Sequence, residues 1–165
     1  MHVLFLVTLL LQPAPLYIVS PDFEDGGTIP THCTCDGRNT NPTLIVHGIP
    51  KGTRSLALIV EDTDSPLDAQ WLAWNIPPVE TLDGETFLDI TGNVRTAGNY
   101  RGPCPESGAV QRYAFNIYAL DTLLTLPSNT GRIALEKTMD AHILAAGKLQ
   151  GTYSRSVVVG NRKRK

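Results

Sequence analysis

The chain has 165 residues, of which 42% are hydrophobic and 18% charged, with 14 glycines and 12 prolines. This length suits one domain with one core, and the composition is that of a globular, loop-rich chain poor in long helices. The net charge of −2 and the scattering of basic residues away from the last few positions argue against a nucleic-acid partner.

The apolar run Val3 to Leu11 in "MHVLFLVTLLLQPAP" falls well short of the roughly 18 residues that span a bilayer, so no transmembrane span is expected. Residues 1–15 read equally as a secretory signal, which lacks a basic start and a small-x-small cleavage site here, or as an extra strand of the domain. The compartment stays open: the cytoplasm is the default, and export follows if the leader is a signal. The domain proper is expected over 16–155, with 156–165 a solvated basic tail ending in "NRKRK".

"LYIVSPDFEDGGTIP" reads as a short strand and an Asp-Gly-Gly turn, and "TCDGRNTNP" as a loop. "LIVHGIP" and "SLALIVED" read as strands joined by a tight turn, the second apolar enough to be buried on both faces. "WLAWNIP" is a strand ended by Pro77 and Pro78, and Trp71 and Trp74, three apart, point to opposite faces as core residues. "ETFLDIT" and "VQRYAFNIYAL" complete the central strands. The spacing predicts one helix over "GRIALEKTMDAHILAAG", with Leu135, Met139, His142, Ile143 and Ala146 on its packed face and Gly147 as its left-handed terminator. "KLQGTYS" reads as a last short strand. The pattern is mainly β, a sandwich with a peripheral C-terminal helix.

Three polar clusters interrupt the apolar strands. Asp62 and Asp64 flank a threonine in "EDTDSP", where Pro66 stiffens the backbone; Gln70 opens "QWLAWN"; and Gly102, Pro103 and Cys104 form a rigid loop before Gln111, Arg112 and Tyr113. Alternation sets Gln111, Tyr113 and Phe115 on one face of their strand, and a buried amide or phenol left unpaired costs about 1–3 kcal/mol, which calls for a polar pocket. Cys33, Cys35 and Cys104 allow at most one bridge within the chain. A zinc set of His32, Cys33, Cys35 and Cys104 can be written, but Cys-x-Cys lacks the spacing of the common knuckles, so neither metal nor other cofactor is expected. Asp62 and Asp64 lie two apart on a turn, Cys104 lacks a histidine base at the pocket positions, and no nucleophile elbow or nucleotide-type glycine loop occurs; the chain does not read as an enzyme.

"DGGTIPTHCTCDGRNTNPTL", "SLALIVEDTDSP", "WLAWNIP", "GNYRGPCPESGAVQRYAFNIYALD" and "HILAAGKLQGTYSR" together resemble the phosphatidylethanolamine-binding, Raf kinase inhibitor-like family, in its bacterial and archaeal branch, over roughly 20–155. The resemblance implies an antiparallel Greek-key sandwich with a small anion pocket at the strand ends, non-catalytic, that accepts a small phosphorylated or headgroup-like ligand. It assigns Asp62, Asp64, Pro66, Gln70, Gly102, Pro103, Cys104, Gln111 and Tyr113 to that pocket and marks Cys35 and Cys104 as the pair to test for a bridge. It also implies a second kind of role, regulation of a kinase or serine protease by protein contact, and leaves a homodimer open. The chain departs from the family pattern at Gln70 and Gln111, where relatives carry histidines, so bonds to an anion that would be charge-assisted become neutral.

Overall fold

The computed structural model describes residues 14–65, 69–88 and 94–156. Within them the chain order is β1 (Tyr17–Val19), β2 (Leu44–His47), β3 (Ser55–Asp62), β4 (Ala69–Ile76), β5 (Thr81–Leu82), α1 (Gly84–Leu88), β6 (Arg95–Thr96), β7 (Val110–Leu120), α2 (Arg132–Met139) and β8 (Ile143–Ser154), with single 3-10 turns at Thr31–Cys33 and Asp140–His142. The strands form two antiparallel sheets, β1-β2-β5 and β6-β4-β3-β7-β8.

A strand as uniformly apolar as β3 must be covered on both faces. It lies at the centre of the larger sheet between β4 and β7, with all but one of its residues buried. Leu56, Leu58 and Val60 face the smaller sheet and pack with Ile18, Leu44 and Val46, while Ala57 and Ile59 face outward to Leu135 and Met139 of α2. Burying a side chain of that size stabilises by about 1.5–3 kcal/mol, so the short amphipathic α2 is held on the outer face by these two anchors. Trp71 joins the inner cluster and Trp74 the outer, as their spacing requires. The β3–β4 ladder slips between Leu56 and Leu58, where Asn75 takes a left-handed φ of 57° and its amide bonds both Leu124 N (2.7 Å) and Leu124 O (3.0 Å).

The structure corrects the C-terminal reading. The helix ends at Met139, and Ile143 to Ser154 form a twelve-residue strand laddered along the whole of β7. A complete antiparallel ladder outweighs the helical spacing of Ile143 and Ala146. Gly147 terminates nothing: it pairs with Ile117, and a Cβ there would meet Leu16 O at 2.7 Å, so glycine admits the chain leading into β1. His142 is not a core residue; it is half-exposed, with Nδ1 2.8 Å from Asp121 Oδ1.

"ETFLDIT" is also corrected, because Gly84–Leu88 is a helical turn. Asp83 and Thr86 cap it reciprocally: Thr86 N donates to Asp83 Oδ1 (3.0 Å) and Asp83 N to Thr86 Oγ1 (3.2 Å). The expectations for residues 1–13 and for the tail beyond 156 lie outside the described residues. Among the described residues no helix is long and apolar enough to cross a membrane.

Candidate functional site

Antiparallel pairing puts directly opposed residues on the same face of a sheet. Asp62, the last residue of β3, opposes Tyr113 of β7, and both continue the inward face that carries Val60 and Phe115. The apolar core gives way at this end of the sheet to a carboxylate and a phenol, which are 6% and 1% exposed. Asp62 Oδ1 accepts Asp64 N at 2.9 Å, which closes the turn after β3, and Thr63 N bonds Arg112 O at 2.8 Å, which holds the two strand ends together.

Gln111 is next on the same face, and its Oε1 accepts the Tyr113 hydroxyl at 2.9 Å. Gln111 also opposes Tyr153 of β8, whose hydroxyl donates to Asp36 Oδ2 (2.9 Å), a carboxylate shared with Arg155 Nη2 (2.9 Å). Burial pushes the Tyr113 hydroxyl up to about 12; the negative charges of Asp62 and Asp64 add to this, and the Cys104 backbone amide opposes it. The phenol is therefore a neutral donor whose proton lies on Gln111 Oε1, in the field of the Asp62 and Asp64 charges and of the Cys104 backbone N–H.

The loop bearing Cys104 is pinned at several points. Cys35 and Cys104 form a disulfide, and Cys35 N donates to Pro103 O at 3.2 Å. Gly102 N donates to Asn39 Oδ1 (2.8 Å), Tyr100 OH to Cys33 O (3.1 Å), Arg101 Nη2 to Ala69 O (3.2 Å) and Trp71 Nε1 to Gly98 O (3.3 Å). A Cβ on Gly102 would come within 2.1 Å of Cys33 O, so only glycine lets the two backbones lie this close. The bridge pairing implied by the resemblance is present.

Of the sequence candidates, a hydrogen bond joins Gln111 to Tyr113, strand pairing sets Asp62 opposite Tyr113, and the Cys104 backbone amide acts on the Tyr113 hydroxyl, whereas Gly102 and Pro103 bond to Asn39 and Cys35 instead. Asp64 points to solvent and pairs with Arg112 at 3.0 Å. Gln70, half-buried near the start of β4, shares a solvent-open hollow of about 300 Å³ with Arg101, Thr130 and Arg132. Pro66 lies outside the described residues. Asn39, Tyr100 and Asp36 were missed by sequence reasoning. Asn39 and Tyr100 sit in the quoted "GRNTNP" and "GNYRGP" stretches, and only the left-handed φ of 57° at Asn39 is a property its residue type could have suggested.

A two-sheet sandwich whose strand ends carry a buried carboxylate and phenol beside a cross-linked loop is a framework that suits a ligand-binding domain. The family profile described as "Phosphatidylethanolamine-binding protein" matches residues 19–154. A UPF0098 protein of Methanothermobacter thermautotrophicus is 42% identical over 145 residues, covering 81% of this chain and 95% of that one. A UPF0098 protein of Archaeoglobus fulgidus is 39% identical over 149 residues, covering 84% of this chain, which spans 51% of that longer relative. The crystal structure of the phosphatidylethanolamine-binding protein homologue CT736 from Chlamydia trachomatis superposes with a TM-score of 0.75 at 32% identity, covering 86% of this chain and 99% of that one. The chain belongs to the phosphatidylethanolamine-binding protein family.

Proposed function

We propose that this protein is a non-catalytic binding protein that seats a small phosphorylated or polar headgroup in the recess formed by Asp62, Gln111, Tyr113 and the Gly102–Cys104 loop. The observation that carries the reading is the Tyr113 hydroxyl, buried and neutral, bonded to Gln111 and facing both Asp62 and the Cys104 amide. A ligand oxygen entering there would meet donors already oriented by strand pairing and the disulfide, so little ordering cost attends binding. No proton-transfer group at neutral pH stands beside a nucleophile in this set, which supports binding without turnover.

The charge of the recess sets its preference. Gln111 cannot become cationic, and among the described residues Asp62 makes no ion pair. A bare anion gains a neutral bond at Gln111 where a histidine would give a charged one; at about 1 kcal/mol, that loss makes binding on the order of 5-fold weaker. A zwitterion whose ammonium answers Asp62 loses less. Calorimetric titration should give weak inorganic phosphate binding that is flat between about pH 5.5 and 7.5, with phosphoethanolamine tighter. The Gln111→His variant should bind phosphate on the order of 5-fold more tightly at the acid end. Parent binding that strengthens steeply on acidification, or headgroup affinity indifferent to Tyr113→Phe, would overturn the assignment.

A further inference from the structure

The disulfide removes Cys35 and Cys104 from the four-residue zinc set that the sequence permits, but it leaves His32 and Cys33 beside a third donor that the sequence does not suggest. One carboxylate oxygen of Asp22, a ring nitrogen of His32 and the Cys33 sulfur lie within 4.8 Å of one another. The His32 Nε2 to Asp22 Oδ1 separation is 3.6 Å. Donors about 2.0–2.3 Å from a tetrahedral zinc stand about 3.3–3.7 Å apart, so this pair is already at coordinating separation.

The Asp22 carboxylate is fixed from behind. Its Oδ2 accepts Thr43 N at 2.8 Å, its own N–H donates to Ser20 Oγ at 3.1 Å, and Ser20 Oγ donates in turn to Thr43 O at 2.7 Å. Oδ1 is thereby left toward His32, the arrangement in which a ligating carboxylate is itself held by hydrogen bonds. The sulfur belongs to a residue with no exposure, while the His32 and Asp22 side chains are 41% and 24% exposed, so the three donors run from the interior to the surface.

We infer that Asp22, His32 and Cys33 form a binding site for a borderline-soft divalent cation of the zinc type, with three protein donors and a fourth position for water. The donor chemistry selects for such an ion over magnesium or calcium, which take oxygen ligands. Burial pushes the Cys33 thiol up to about 12; the Asp22 charge contributes in the same direction and Arg38 against it. The thiol proton passes to solvent as the metal–sulfur bond forms. The ion would tie the segment after β1 to the Thr31–Cys33 turn, whose Cys33 carbonyl accepts the Tyr100 hydroxyl, and so stiffen the support of the 98–105 loop.

The test is a cobalt(II) titration of the full chain with its disulfide intact, followed by zinc competition and by thermal melts with and without zinc. Expected are a one-to-one complex with a thiolate-to-cobalt charge-transfer band, displacement by zinc, and a zinc-dependent rise in Tm. Cys33→Ser should abolish the charge-transfer band, and His32→Ala or Asp22→Asn should weaken cobalt binding on the order of 100-fold. If Cys33→Ser does not fold, His32→Ala decides, because the ring it removes is largely at the surface. A titration without the charge-transfer band, or cobalt affinity unchanged in His32→Ala and Asp22→Asn, would overturn the site.

Discussion

Replacing both bridged cysteines, Cys35→Ser with Cys104→Ser, leaves Cys33 untouched and isolates the contribution of the cross-link. The two half-cystines are 69 residues apart in sequence. Loop-closure entropy for a ring of that size is about 15 cal/mol/K, which is about 4 kcal/mol at 25 °C removed from the unfolded chain. For a domain of this length each kcal/mol moves Tm by about 2–4 °C, so the double variant should melt about 8–16 °C lower than the parent under non-reducing conditions. Urea denaturation gives an independent value: with an m of about 2 kcal/mol/M the midpoint should fall by about 2 M. Reductant added to the parent should reproduce the shift and have no further effect on the double variant. A midpoint unchanged within error would refute the reasoning, because Tyr100, Asn39 and Arg101 would then hold the loop without the bridge.

Gly102→Ala should destabilise the fold by about 1–3 kcal/mol in urea denaturation, because the new methyl group must displace Cys33 O or Asn39 Oδ1, and headgroup binding should weaken with it. The difference between phenolate titrations of the parent and of Tyr113→Phe should rise near pH 12 rather than at the ordinary value of 10. The sign follows from the raised value: the stability tied to the neutral phenol is fully present below pH 10 and is lost as pH climbs through 12. Asp36 shows the opposite sense. Its hydrogen bonds from Arg155 and Tyr153 hold it below its usual 3.8, so its contribution is present above that pH and is lost on further acidification, and Asp36→Asn should flatten the acid limb of urea midpoints measured against pH.

How much was legible in the sequence depended on whether a signal was local. The buried strand β3, the division of Trp71 and Trp74 between the two faces, and the placing of Tyr113 and Gln111 on one face of β7 all follow from alternation, a property of adjacent residues. The extent of α2 did not follow. Ile143 to Gly147 keep helical spacing yet pair with β7, and the partner strand lies more than twenty residues earlier. The short α1 did carry a local signal, the Asp83 and Thr86 reciprocal cap, which the apolar run "FLDI" masked. At the strand ends, the residue types along β3 and β7 singled out Asp62 and Tyr113, which strand pairing sets opposite one another. The loop's supports were not readable, because Tyr100 reaches Cys33 across 67 positions and Asn39 reaches Gly102 across 63.

The outer margin of β8 has one further consequence. Gly26 N bonds Gln150 O, Gln150 N bonds Asp25 Oδ1, Ile29 N bonds Thr152 O and Thr152 N bonds Gly27 O, so the chain's own "DGGTI" occupies the donors and acceptors there. A neighbouring molecule seeking to extend the sheet along this stretch would first have to peel that segment away. Self-association by strand addition is thereby disfavoured along the rim where Tyr153 and Arg155 hold Asp36.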